Sequence, residues 1–238
     1  MKFLIGLAAS LTILSASLKA QDPQKILEGA RLAATLTEIQ EGLQGTLSKS
    51  GRKTPITLFL RGKNIQFQFT EKGQPLRIFH MRLSDDKFDL FEIINGKTVN
   101  FDRNKLVEPI AGTDLTYEDL SLRFFYWPNP KLEGIEKVAG QDCYKLRLDK
   151  PNGAAGRYEA VYVWVHTKFG AFMRIRGHDA KGVLVKEFQV EDVMQVADGV
   201  WTLRQMQVAT HDSKSGRRAS ITDVTLNKPS KGTLKGLR

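Results

Sequence analysis

The sequence is poor in cysteine, since Cys143 is the only thiol among 238 residues. A single cysteine cannot form a disulfide bond within the chain, whatever the redox state of its compartment. Cys143 lies in the alternating segment CYKLRL, without a neighbouring histidine or a metal-ligand spacing. We expect a small buried hydrophobic side chain here, and a reactive thiol is the alternative.

The sequence also lacks the residue patterns that catalysis or metal binding requires. The adjacent acids Asp85-Asp86 and Glu118-Asp119 point in different directions on a strand or a helix, so neither makes an acid–base pair by itself. No GxSxG elbow and no P-loop is present. Neither HxxxH nor HxH spacing links the four histidines, His80, His166, His178 and His211. We predict no catalytic residue, no metal, no cofactor and no enzymatic activity, which leaves a secreted hydrolase as the least favoured class.

A long apolar run occurs only at the N-terminus. Lys2 is followed by a mostly apolar run over residues 3–18, and Ala20 precedes the polar Gln21. This pattern is typical of a signal peptide, and we predict cleavage after Ala20; a cut after Ser17 and an uncleaved membrane anchor are the alternatives. Because position 21 is not a cysteine, we expect no lipid attachment at this junction.

No internal repeat, linker or second domain interrupts the remainder of the sequence. Its length is within the range of single all-β domains. We therefore predict a signal peptide over residues 1–20 and one domain over residues 21–238, with a basic and flexible tail from about residue 228.

Acidic residues are outnumbered, because 36 Lys and Arg face 26 Asp and Glu, for a net charge of +10. The predicted leader holds two lysines and no acid, so the rest of the chain keeps +8. A positive surface suits anionic partners. Nucleic acid is excluded by the secretion signal and by the absence of a recognition motif. The basic segments 49–53, 214–218 and 228–238 are either solvated loops or a peripheral contact with an anionic membrane.

The spacing of apolar residues changes early in the chain. After Asp22-Pro23 it is helical, and we predict a helix that ends at Gly42 and Gly45. From Ile56 onward the spacing alternates, first in a hairpin that ends at Phe69. Further strands are predicted at 76–82, 87–94, 98–102, 143–148, 158–166, 171–178, 184–193, 201–211 and 220–226. Short strands between turn signals such as Asn95-Gly96, Asp179 to Gly182 and Asp198-Gly199 favour an antiparallel meander.

One face of this sheet is rich in bulky apolar side chains. Fully packed, it would be an ordinary core. If helices stand off from it, the same residues would line an apolar cavity. The candidates chosen by strand alternation alone are Leu58, Leu60, Phe67, Phe69, Phe88, Leu90, Val161, Val163, Val165 and Phe188.

The segment GTDLTYEDLSLRFFYW, from Gly112 to Trp127, contains a helix-start signal. Thr116 and Asp119 have the spacing of a capping box, in which each side chain bonds the other residue's backbone N–H. We predict a short helix from about Thr116 that stops before Pro128.

Several motifs occur in the order typical of one protein family: GTDLTYEDL, GQDCYKLRL, YVWV, MRIRGHDAKGVLVKEFQV and GVWTLRQMQV. With them the sequence resembles the outer membrane lipoprotein-sorting protein family, in its branch of LolA-like domains. The resemblance covers roughly Leu58 to Lys228 and is densest from Gly112 to Thr225. It implies an α+β, mainly β fold, in which a curved antiparallel sheet, an incomplete β-barrel, is covered by a few helices and encloses an apolar cavity for acyl chains.

The resemblance also marks a set of signature residues. Capping, together with Tyr117 anchoring the short helix against the sheet, is a sufficient structural role for them. Arg61 lies loosely where the classical carrier has a lid-latching arginine, but its surroundings do not match and that role is not transferred. The matching positions are Thr113, Asp114, Tyr117, Glu118 and Asp119.

Together these features predict a periplasmic carrier of lipoprotein acyl chains or phospholipid, not itself lipidated, that performs no chemistry. An envelope export complex is a possible partner. The alternative is a non-catalytic envelope protein-interaction module that uses the concave sheet, which a solid core would favour.

Overall fold

The computed structural model describes residues 21–35, 39–61, 63–71, 73–83, 88–197 and 200–229. The predicted leader, the acids Asp85-Asp86, the turn at Asp198-Gly199 and the tail beyond residue 229 lie outside the described residues. Strand β5 begins at Phe88, whose side chain is also outside the described part.

The described chain is mainly β. Helix α1 covers Pro23–Thr35 and helix α2 covers Tyr117–Ser121. The strands are β1 Ile39–Lys49, β2 Arg52–Arg61, β3 Asn64–Phe69, β4 Arg77–Leu83, β5 Phe88–Ile94, β6 Lys97–Asn100, β7 Lys131–Val138, β8 Gln141–Asp149, β9 Ala160–His166, β10 Phe172–His178, β11 Leu184–Ala197, β12 Val200–His211 and β13 Arg218–Leu226.

All 13 strands belong to one antiparallel sheet, made of two meanders. Strands β1 to β6 pair in sequence order, and so do β7 to β13. The two meanders join where β1 pairs with β13, with Gly45 opposite Leu226. Strands β6 and β7 are the two edges, so the sheet is open, and the predicted fold class is confirmed.

Strand alternation places the apolar residues on one face. Leu58 of β2 pairs with Phe67 of β3, and Val163 of β9 pairs with Leu146 of β8. Side chains from both meanders belong to one buried cluster, which requires the sheet to curve around it. We call this face the inner face.

The connection between the two meanders fills the inner face. Residues 101–130, which we call the plug, contain a 3₁₀ helix at Arg103–Val107, helix α2 and a second 3₁₀ helix at Arg123–Tyr126. Helix α1 packs beside the plug, because Leu27 and Ala30, three residues apart, are buried in the same cluster.

Two sequence predictions are wrong. The N-terminal helix ends at Thr35 rather than at Gly42 and Gly45, because both glycines lie within strand β1. Strand β7 was not predicted; it is an edge strand with the charged sequence KLEGIEKV, and it lacks a continuous apolar face. Within the described ranges, neither α-helix combines the length and the apolar character that a membrane crossing requires.

Candidate functional site

The centre of the plug is the short helix that the GTDLTYEDL segment predicts. Thr116 Oγ1 accepts a hydrogen bond from the N–H of Asp119 at 3.2 Å, and Asp119 Oδ2 accepts one from the N–H of Thr116 at 2.8 Å. The predicted capping box is therefore confirmed. Leu122 caps the C-terminus of helix α2 and adopts the left-handed conformation with φ 47°.

Asp114 joins the plug to the first and last strands of the sheet. Its carboxylate accepts hydrogen bonds from the Thr222 hydroxyl at 2.8 Å, from the Ser220 hydroxyl, and from Lys49 Nζ at 3.1 Å. Its backbone N–H donates to Thr222 Oγ1 at 2.8 Å. Burial alone would raise the pKa of Asp114, but hydrogen bonds from Ser220, Thr210, Thr222 and Lys49 outweigh it and hold the pKa below its usual value.

Lys186 of β11 connects Asp114 to Asp119. The side chain of Lys186 is 3% exposed, and its Nζ donates to the carbonyl oxygen of Asp114 and lies 3.5 Å from Asp119 Oδ2. Asp119 Oδ1 also accepts a hydrogen bond from the Tyr158 hydroxyl, and burial raises the pKa of Tyr158 well above its usual value. We call this set the polar clamp: Asp114, Asp119, Tyr158, Lys186 and Thr222.

Glu118 is buried beside the polar clamp. Its Oε2 accepts a hydrogen bond from the N–H of Arg157 at 2.8 Å. Burial raises its pKa to about 7, with a smaller contribution from the charge of Asp119, so that near neutral pH the carboxyl group is partly protonated. Gly156 lies directly against it, since a Cβ at this position would be 1.9 Å from Glu118 Oε1.

The two other signature residues hold the plug through a turn and an aromatic contact. The Thr113 hydroxyl donates to the carbonyl oxygen of Ile110 at 2.7 Å. The Tyr117 ring packs against the sheet at Phe79 of β4, 5.4 Å away between ring centroids, and against Phe101 at the start of the plug, 4.9 Å away. Asp114, Tyr117 and Asp119 thus attach the plug to the sheet. Glu118 bonds the loop before β9, and Thr113 holds a turn within the plug.

Potential metal ligands are dispersed among the described residues. No three His, Cys, Asp or Glu side chains among them lie together as metal ligands would. The acids of the polar clamp are engaged by cations and hydroxyls. Cys143 is fully buried beside Val138 and Trp164, as expected of a small hydrophobic side chain.

The residues predicted to line a cavity are mostly packed. Phe69, Val161, Val163, Val165 and Phe188 are buried in the main cluster with the plug. Leu60 belongs to a second buried cluster, and Leu58, Phe67 and Leu90 are half-buried against it. The structure brings these residues to one face, but the plug occupies most of the space in front of them.

A cavity of about 520 Å³ remains at one side of the plug. We call it the plug cavity; it lies between β5, the two 3₁₀ helices and the loop after β8. Of the predicted lining residues, Leu90 borders it. The wall is formed by Asp89, Leu90, Phe91, Asn100, Phe101, Arg103, Arg123, Tyr126, Trp127, Pro151 and Ala154.

A second cavity of about 390 Å³ lies between the start of α1 and the turn after β9. Ile26 of α1 and Val165 of β9 border it, together with His166 and Lys168. His166 Nδ1 accepts a hydrogen bond from the N–H of Lys168 at 3.0 Å, so the ring is part of the turn. This cavity is smaller than the plug cavity.

Sequence reasoning missed most of the plug cavity. Its wall comes largely from loops and 3₁₀ helices, where strand alternation carries no information. The available signal was the aromatic run RFFYW, which the sequence analysis used only as the end of a helix.

The chain has the LolA-like fold. A LolA superfamily protein from Nitrosomonas europaea superposes with a TM-score of 0.62 at 16% identity, covering 86% of this chain and 91% of that one. An outer membrane lipoprotein-sorting protein domain from Vibrio parahaemolyticus gives a TM-score of 0.57 at 16% identity, covering 87% and 92%. A DUF1329 family protein from Desulfovibrio piger gives 0.59 at 18% identity, also covering 87% and 92%.

Residues 81–234 match a family model described only as that of an uncharacterized protein, and because the match spans more than half of the chain, the chain belongs to that family. A comparison with curated proteins finds no match. The fold prediction from the sequence motifs is confirmed by the structural neighbours.

Proposed function

We propose that this protein is a periplasmic carrier that binds the acyl chains of a lipoprotein or phospholipid and performs no chemistry on them. The observation that carries this proposal is the plug cavity. Its volume of about 520 Å³ lies within the usual range for small-molecule sites, about 300–1,000 Å³. Leu90, Phe101 and Trp127 give part of its wall an apolar character. The LolA-like fold supports the same class of function.

Acyl-chain burial supplies the binding energy in this proposal. Each methylene removed from water contributes about 0.8 kcal/mol, so a chain of ordinary length binds without a covalent step. A longer chain needs more room than the plug cavity offers. We infer that residues 123–127 of the plug move away from the sheet while the polar clamp holds residues 113–119 in place. Transfer then requires an acceptor with higher affinity.

The predicted signal peptide supports a periplasmic location for this carrier. An envelope export complex is the donor or acceptor that fits a protein between two membranes. The net positive charge favours peripheral contact with an anionic membrane during transfer.

The packed interior supports a second candidate, a non-catalytic protein-interaction module. Five of the predicted lining residues are buried in the main cluster, which leaves less space than an open carrier cavity would have. This candidate requires no lipid and uses the sheet or its edges to bind an envelope protein.

Native mass spectrometry tests the carrier proposal. Protein purified from a periplasmic fraction is measured as isolated, and again after delipidation and incubation with phospholipid or acylated peptide. We expect a bound lipid mass in at least the second measurement. A mass that stays free of lipid in both would overturn the proposal and favour the interaction module.

A cavity-filling substitution tests whether the lipid binds in the plug cavity. Ala154→Trp places an indole at a residue that borders the cavity, and we expect it to reduce lipid binding at least about tenfold, the loss of two buried methylenes. The control is Ala155→Trp, at the exposed neighbour in the same loop. Equal binding by the two variants would show that lipid binds elsewhere.

A further inference from the structure

The plug cavity combines an apolar wall with two cationic side chains. Arg103 is the first residue of one 3₁₀ helix and Arg123 is the first residue of the other, and both border the cavity. The backbone N–H of Phe101 donates to the carbonyl oxygen of Leu90 at 3.0 Å, which fixes the apolar wall beside them. The two positions are 20 residues apart in sequence, and the plug fold alone brings them to one cavity.

The charges around this cavity are unequal. Among the described residues that border the cavity, Asp89, on the exposed side of β5, is the one acid beside Arg103 and Arg123. Glu118 also lies near Arg123, but its raised pKa leaves it partly protonated near neutral pH. The pKa of Arg123 is lowered, first by burial and also by the positive charge of Arg103. An anion between the two guanidinium groups would offset both the cost of burying the charge of Arg123 and its repulsion by Arg103.

The chemistry of the cavity favours one class of ligand. A guanidinium group binds a carboxylate or a phosphate through two parallel hydrogen bonds, which a neutral head group cannot accept with the same strength. An acyl tail against Leu90, Phe101 and Trp127 would bury its methylenes. An uncharged ligand would make no such charge-assisted contact with the two arginines.

We infer that the plug cavity selects single-chain amphiphiles with an anionic head group, held between Arg103 and Arg123, with the tail against the apolar wall. The inference deepens the proposed carrier function and rests on it. The shared chemistry of the head group is a carboxylate or phosphate next to an acyl chain.

Calorimetric titration of the full mature chain tests this selection. The probes are lysophosphatidylglycerol and an uncharged monoacylglycerol with the same acyl chain, below their micelle concentrations, and glycerol phosphate as a head group without a tail. We expect the anionic lipid to bind about tenfold more tightly than the uncharged one, as one or two charge-assisted hydrogen bonds predict. Glycerol phosphate should bind far more weakly than the anionic lipid.

Two arginine variants and a control test whether Arg103 and Arg123 cause the preference for the anionic lipid. Arg103→Gln and Arg123→Gln should each remove most of the preference for the anionic lipid and leave binding of the uncharged lipid within about twofold. Arg103 is exposed, so its variant keeps the test valid if the Arg123 variant fails to fold. The control is Arg218→Gln, an exposed residue of β13 that is not among the residues bordering the cavity.

The possible outcomes separate this inference from the proposed function. Equal binding of both lipids, or an unchanged preference in the Arg103 and Arg123 variants, overturns the inference and leaves the carrier function in place. Binding of neither lipid counts against the carrier function itself. Glycerol phosphate that binds as tightly as the anionic lipid shows a site for small anions and also overturns the inference.

Discussion

Two segments of the plug, residues 113–119 and residues 123–127, are attached to the sheet in different ways. Residues 113–119 are held by buried charges and hydroxyls, whereas residues 123–127 present aromatic rings and Arg123 to the plug cavity. Hydrogen bonds between buried charges have strict geometry, and apolar contacts do not. Residues 113–119 therefore form a fixed anchor, whereas apolar packing holds much of the segment 123–127, since Phe124, Phe125 and Trp127 are buried in the main cluster.

The largest loss of stability is expected when the anchor loses the positive charge of Lys186. Lys186→Ala leaves Asp119 buried next to the Tyr158 hydroxyl without its nearest positive charge, and we expect a loss of about 3–5 kcal/mol in the free energy of unfolding. Urea denaturation measures it. Lys145→Ala is the control, because Lys145 pairs with Glu136 at the outer surface and should cost less than about 1 kcal/mol. Similar losses in both variants would mean that the clamp is not an anchor.

The contact between Gly156 and Glu118 allows a second test of the anchor. Gly156→Ala places a Cβ on top of the Glu118 carboxyl group at a positive φ of 120°, and we expect a loss of about 3 kcal/mol from overpacking and backbone strain. Gly153→Ala in the same loop is the control. Its φ is 75°, but nothing lies within 4 Å of its Cβ position, so about 1 kcal/mol is expected. Thermal or urea unfolding of the two variants gives the difference, and equal losses would contradict the close contact.

The raised pKa of Glu118 predicts how stability depends on pH. The carboxyl group has an ordinary pKa of 4.5 and a pKa of about 7 in the folded protein, so folding favours its protonated form. The stabilisation is complete below pH 4.5 and is lost as the pH rises to about 7, for a total of at most about 3 kcal/mol. Asp114 affects stability in a different pH range. Because its pKa is lowered in the folded protein, the stability that its ionised form contributes is lost only as the pH falls below 3.8.

The comparison of wild type with Glu118→Gln isolates this contribution. The variant cannot ionise at position 118, so its free energy of unfolding should change less between pH 5 and pH 8 than that of the wild type. The quantity to compare is the slope of the free energy of unfolding against pH. Absolute stabilities are not compared, since the amide also alters the hydrogen bond from Arg157. Identical slopes would show that Glu118 titrates near its ordinary pKa.

The smallest effect is expected at Thr222, which bonds Asp114 through a single hydroxyl. Thr222→Val keeps the side-chain shape but removes the donor to the carboxylate and the acceptor of the backbone N–H, at a cost of about 2 kcal/mol. Thr225→Val is the control on the same strand, where alternation places the side chain on the other face, and less than about 0.5 kcal/mol is expected. Chemical denaturation distinguishes the two, and a neutral Thr222 variant would contradict the anchor.

The strands that could be predicted from the sequence are those with one apolar face. Alternation located β2 and β3 because their buried side chains lie on the inner face and their outer side chains are not buried. Strand β1 was missed because its glycines resemble a helix end. Gly45 is required inside the sheet, since a Cβ there would be 2.6 Å from the carbonyl oxygen of Thr225.

The anchor could be predicted only in its local part. Thr116 and Asp119 are three residues apart, so their capping box is visible in the sequence. Tyr158 and Thr222 follow their partners in the plug by 39 and 108 residues, and only the folded sheet brings them together. The cavity was missed for the same reason, because its wall joins a strand, two 3₁₀ helices and a loop.

The pairing of β1 with β13 has a consequence for how the chain folds. The first strand meets its second neighbour only when nearly the whole polypeptide is present, so one side of β1 stays unpaired until then. Contacts between residues so far apart in sequence make folding slow. Truncation before Arg218 should therefore leave one edge of β1 exposed and promote aggregation.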